Sequence, residues 1–166
     1  LVMTDILKIQ PLNRLAFAPY GDVISTAEAT HIASINQGNT LRFDNLASLC
    51  INLEKGTPCL SIFRSSPLPL PITICSLENH PLSSQAFFPL SKRPFLVVVA
   101  PPGELDESRI EAFLAGPEQG VNYHPGTWHH YSLALQETSD FLVIDCHTEQ
   151  PNCDEVNLAT PRQLQL

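Results

Sequence analysis

Residues 116–131 read GPEQGVNYHPGTWHHY and hold three of the chain's six histidines and its only tryptophan. Val121 and Tyr123 alternate with Asn122 and His124, the period-two pattern of a strand with one apolar and one polar face. Pro125-Gly126 breaks the run, and Trp128, His129 and His130 resume it toward Tyr131 and Leu133. The segment therefore reads as strand, tight turn, strand, with imidazoles on both sides of the turn.

Spacing adds a second layer. Gly126, two residues and then His129 match the second half of the pattern found in small cupin barrels. The first half of that pattern is a strand with two ligands one residue apart and a third five positions on, which Glu78, His80 and Gln85 supply in ENHPLSSQ. Glutamate stands where histidine is expected, and glutamine where glutamate is usual. Strand alternation puts Glu78 and His80 on one face, so both can point into a barrel lumen. Joined, the half-motifs bring His80, Glu78, Gln85, His124 and His129 to one pocket. Glu78, His80, Gln85 and His129 are the metal-ligand set to test, and mixed nitrogen and oxygen donors suit nickel, manganese, iron or zinc. The same groups can also bind a substrate directly.

Around these motifs lie PLNRLAFAPYGDVI at 11–24, INQGNTLRFDNLA at 35–47, SIFRS at 61–65, HPLSSQAFFPL at 80–90, PFLVVVAPPG at 94–103 and EQGVNYHPGTWHH at 118–130. DFLVID and NCDEV follow near the end. In this order, over nearly the whole chain, they resemble the ureidoglycolate lyases of allantoin catabolism, formerly described as hydrolases. The resemblance implies a cupin-like antiparallel β barrel (a double-stranded β-helix) with one or two short helices. It also implies cleavage of ureidoglycolate to glyoxylate and urea, and a homodimer. Two positions depart from the family: Pro125 and Cys146 stand where arginines are common, so any carboxylate-binding role of those arginines either passes to other residues here or is lost with a weaker activity.

The 166 residues suit one domain, 1–166, with a real core. Nine basic against seventeen acidic residues give a net charge of −8, which argues against nucleic acid or an anionic membrane as partner. Cys50, Cys59, Cys75, Cys146 and Cys153 are odd in number and form no C-x-x-C pair, so reduced, mainly buried thiols and a cytoplasmic location are expected. The longest apolar runs, such as FLVVVA at 95–100, are too short to span a bilayer as a helix.

Fifteen prolines break up long helices, and about ten short alternating strands point to a barrel or sandwich. DILKIQ at 5–10 reads as an edge strand. Asn13 caps a short helix in RLAFAPYG. LSIFRSS at 60–66 and ITICSLENH at 72–80 read as adjacent strands joined by a polyproline link. Residues 106–115 carry a cap at Asp106 or Ser108 and an Ile110, Phe113, Leu114 stripe, which predicts the one principal helix. The tail, 151–166, reads as surface.

Splitting ureidoglycolate needs a base for the hydroxyl proton, an acid for the departing nitrogen and a cation for the carboxylate. His124, His129 and His80 are the candidate catalytic groups. Arg42 and Arg64 are the candidates for the carboxylate, since a planar guanidinium grips it in two places. Asn36 and Asn122 can bond the ureido group. Tyr123 and Trp128 read as core, and Asp145 as a residue that orients a histidine or supports structure. Two other classes stay open: a metal-dependent cupin oxygenase or isomerase, and a non-catalytic small-acid-binding cupin.

Overall fold

The computed structural model describes residues 4–166, so Leu1, Val2 and Met3 lie outside it. In chain order the elements are β1 (Asp5–Pro11), α1 (Arg14–Phe17), β2 (Gly21–Ile24), β3 (His31–Ile35), β4 (Thr40–Asp44), β5 (Thr57–Ser65), β6 (Thr73–Asn79) and β7 (Gln85–Pro89). There follow β8 (Phe95–Ala100), β9 (Glu111–Ala115), β10 (Gly120–Tyr123), β11 (Trp128–His129), β12 (Leu133–Ala134), β13 (Ser139–His147) and β14 (Asp154–Gln165). Single 3-10 turns punctuate the loops, and α1 is the lone α-helix among the described residues. It starts where Asn13 places its side-chain oxygen 2.9 Å from the Ala16 N–H, which satisfies one of the free donors of the first turn.

One sheet runs β11-β6-β14-β1-β9-β8-β12, and β11 also pairs with β8. This second pairing closes the sheet on itself as a barrel. A second sheet, β2-β10-β7-β13-β5, packs against it, and β3 and β4 form a separate hairpin. Strand β8 explains why FLVVVA is apolar throughout. Phe95, Val97 and Val99 face one core, shared with Phe87, Val121, Tyr123, Phe141 and Val143 of the five-stranded sheet. Leu96, Val98 and Ala100 face the other, with Ile74, Leu77, Trp128, Leu133, Leu158 and Leu164 inside the closed sheet. A strand buried on both faces has no place for a polar residue.

The fold class stands as the sequence implies, with four corrections. The helix expected at 106–115 is one 3-10 turn, Glu107–Arg109, followed by strand β9. Asp106 does cap, accepting from Ser108 N–H at 3.0 Å, but pairing of Val97 with Phe113 along β8 overrides the helical spacing of the apolar stripe. DILKIQ is not an edge: β1 lies between β14 and β9 and runs parallel to both. The tail is not surface, since β14 fills the place between β6 and β1 and buries Leu158 and Leu164. Finally, β5 and β6 belong to different sheets, so the PLPLP link carries the chain from one layer to the other.

Candidate functional site

Closure of the barrel and assembly of the site are one event. The β11–β6 pairing sets His129 directly opposite Glu78, and alternation along β6 carries His80 round to the same side. One ligating atom each from Glu78, His80 and His129 lies within 4.8 Å of the others. The two imidazole rings sit 5.1 Å apart, centre to centre, at 46°.

Each ring is fixed from behind. His80 Nδ1 lies 2.7 Å from the Asn152 carbonyl oxygen, an acceptor, so Nδ1 donates to it and Nε2 is left facing the cluster. His129 Nδ1 lies 3.2 Å from the His130 carbonyl and 4.0 Å from Glu78 Oε1, which makes it a donor in the same way. The Tyr123 ring stacks flat on His129, with centroids 4.2 Å apart and planes within 2°. Burial first, and then the neighbouring His80, hold the His129 imidazole down to about 3, so it is neutral with a free lone pair.

Both Nε2 atoms are buried and have no hydrogen-bond partner among the described residues; the same is true of Gln85 Oε1. Gln85 pairs across from Tyr123, so its side chain enters on the Tyr123 face. There its Nε2 donates to Asp145 Oδ2 at 3.1 Å. Buried polar atoms without a partner are costly to leave without a ligand. Two imidazoles and a carboxylate whose ligating atoms lie this close are a donor set that fits a divalent ion of the nickel, iron or zinc kind. Two clefts open beside the cluster. One is lined by Glu78, His129, His130 and Glu155; the other, of about 460 Å³, by His80, Asp145 and the 147–153 loop. Neither lining contains lysine or arginine.

Other candidate residues lie apart from this cluster. Since Tyr123 faces in, Asn122 and His124 fall on the other side of β10. His124 Nε2 is 3.3 Å from Asp22 Oδ2, and Asn122 Nδ2 donates to the same oxygen at 3.0 Å, beside a separate polar pocket that also holds Arg14 and Glu28. His124 therefore does not share the pocket of His129, contrary to what the joined half-motifs predict; it keeps to the polar face that the alternation gives it. Arg42 is exposed on the hairpin and pairs with Asp44 at 2.9 Å. Arg64 pairs with Asp140 through both carboxylate oxygens, at 2.8 and 2.9 Å, on the outer face of β5. Asn36 sits at the exposed hairpin turn with φ of 53° and donates to Thr40.

Three further residues contribute to the site. Tyr123 is both core and platform. Asn152 anchors His80, and Cys153 donates its thiol hydrogen to Glu78 Oε2 at 3.8 Å. Only the alternation at 121–124 gave a signal, because the Asn152 and Cys153 contacts arise from the return of β14 beside β6. The five thiols are free, but Cys75 and Cys153 are exposed and the other three half-buried, so the expectation of mainly buried thiols is corrected.

The family model described as ureidoglycolate lyase matches residues 4–165. A Burkholderia mallei protein named ureidoglycolate lyase is 51% identical over 152 residues, covering 92% of this chain and 89% of its own. Proteins of the same name from Pseudomonas syringae pv. syringae and Azotobacter vinelandii are 48% and 47% identical, over 96% and 97% of this chain and 94% and 97% of theirs. The chain belongs to the ureidoglycolate lyase family.

Proposed function

We propose that this chain cleaves ureidoglycolate to glyoxylate and urea at the cluster of Glu78, His80 and His129, acting in the cytoplasm as a homodimer within purine catabolism. Family membership supports the reaction. The observation that carries the site is the pair of buried, unpartnered Nε2 atoms beside a carboxylate.

The reaction eliminates urea from a carbon that also bears a hydroxyl, so a proton must leave oxygen and one must reach nitrogen. A divalent ion of the nickel class, held by Glu78, His80 and His129 with Gln85 Oε1 as a further oxygen, supplies when bound the positive charge that the hydroxyl and carboxylate oxygens need, a charge that Arg42 and Arg64 are not placed to give. The remaining work divides by exposure. His129 is 1% exposed, locked between Tyr123 and His80, and its role is to present a lone pair in a fixed direction. Glu78 and His80 are half-buried at the clefts; His80 would offer its Nε2 to the ion, and the Glu78 oxygen not spent on the ion can take a proton from substrate or water. Asp145 orients Gln85, and the Asn152 carbonyl orients His80.

The test is a variant series assayed for glyoxylate and urea from ureidoglycolate, with the spontaneous decay subtracted. His80→Ala and His129→Ala should each lose about 10²- to 10⁴-fold in rate. Variants that keep wild-type rates would remove the cluster from the reaction. Elemental analysis of unchelated protein should find about one divalent ion per chain, and none in the His129→Ala protein.

A further inference from the structure

A second concave site lies on the polar side of β10. It is a cavity of about 260 Å³ walled by the start of α1, the residues after β2 and the 45–48 loop. Each wall is tied to the next. The Arg14 N–H donates to Glu28 Oε1 at 2.9 Å, and the Ser48 N–H donates to Asp22 Oδ2 at 3.0 Å. The wholly buried Asn122 donates from Nδ2 to Asp22 Oδ2 and to the Ser48 carbonyl, each at 3.0 Å. These bonds fix the cavity before any ligand enters, which lowers the cost of binding.

Two of its charged groups are left open. Glu28 Oε2 is buried and has no hydrogen-bond partner among the described residues, a costly state for a carboxylate oxygen. Arg42, Arg64, Arg93 and Arg162 are each paired with a carboxylate. The Arg14 guanidinium, which lines the same cavity, pairs with none among the described residues. Asp22, by contrast, is fully engaged by Ser48, Asn122 and His124. The open acceptor is therefore Glu28 and the open cation Arg14. Val23, Leu46 and Ala47 add apolar lining.

We infer that this cavity binds a small carboxylic acid that also bears an N–H donor, an amino acid or a ureido acid, with the donor on Glu28 Oε2 and the carboxylate on Arg14. Charge selects that class. A simple acid would leave Glu28 Oε2 alone, and a simple amine or amide would leave Arg14 in solvent; a ligand with both groups answers both. Size agrees, since about 260 Å³ falls below the roughly 300–1,000 Å³ of drug-sized sites. The cavity is separate from the Glu78 cluster, because Asn122 and Tyr123 leave β10 on opposite sides. Binding here and turnover there can thus be measured apart.

The experiment is titration calorimetry of the full chain with N-carbamoylglycine, a ureido acid without the hydroxyl that elimination requires, and with glycine, acetate and urea as separate probes. Glu28→Gln is the informative variant: the new amide oxygen can still accept the Arg14 N–H, while an NH₂ group takes the place of the open acceptor. The expected result is one N-carbamoylglycine or glycine per chain, the tighter of the two telling a ureido from an ammonium donor. Acetate and urea should bind more weakly than either. Glu28→Gln and Arg14→Gln should each weaken the better probe by about tenfold or more, while Glu28→Gln keeps wild-type turnover of ureidoglycolate. Amide NMR on wild type locates the site without mutation, by shifts at residues 14, 28–30 and 45–48. Absence of saturable binding by both bifunctional probes, affinity indifferent to Glu28→Gln in folded protein, or shifts confined to Glu78, His80 and His129 would overturn the inference. Turnover that falls in step with binding would overturn the separateness of the site.

Discussion

Tyr123 decides where each histidine of the central segment goes. Because its ring stacks on His129, the residues on either side of it must face away, and His124 leaves the cluster to pair with Asp22. The expected outcome is a split among histidine variants. In kcat/KM assays His124→Ala should stay within about tenfold of wild type, far from the losses at His80 and His129; equal losses at all three would place the chemistry at the Asp22 pocket. Protonation gives a second test. The His129 pKa of about 3 lies below its ordinary 6.5, so the folded state binds fewer protons than the unfolded state between those values. Stability from this group is complete above about pH 6.5 and is lost as pH falls toward 3, by about 2 kcal/mol between 6.5 and 5. Burial lowers His130 in the same direction. Urea unfolding of chelated protein at pH 7.5 and 5.0 should show that loss, and equal midpoints would contradict the buried neutral imidazole.

At the scale of elements, what was legible in the sequence were features written locally. The turn at Pro125-Gly126, the double-faced strand FLVVVA and the paired spacing of Glu78 and His80 all follow from alternation within a few residues. Placement that depends on remote partners was not legible. EAFLA becomes β9 because β8 lies beside it, and the polar-looking tail becomes β14 because β1 and β6 leave a gap between them. Removal of residues 151–166 should therefore abolish soluble, folded protein rather than trim its surface; a truncated chain with a native circular dichroism spectrum would refute this. Gly21 makes a similar point about close approach. A Cβ there would lie 1.9 Å from the Asn122 carbonyl oxygen, backbone that cannot yield without parting β2 from β10. Gly21→Ala should cost about 1–3 kcal/mol or more in chemical denaturation, and an unchanged midpoint would show that the strands separate more easily than their pairing suggests.

For the molecule as a whole, a two-residue strand both closes the barrel and aims a histidine, so folding and function share a contact. Among the described residues no lysine or arginine lines the clefts beside the cluster, so on the proposed reading the ion is the source of positive charge. Chelation followed by re-addition of nickel, manganese, iron or zinc should remove and restore turnover, and activity that survives complete removal of metal would leave the histidines and Glu78 as direct acid and base. The central claim is tested most directly by incubating purified wild-type protein with ureidoglycolate and measuring glyoxylate and urea together against a buffer blank. Equal amounts of the two products, formed faster than spontaneous decay and slowed by His129→Ala, are the result predicted here. Folded, metal-loaded protein that releases neither product faster than the blank would contradict it.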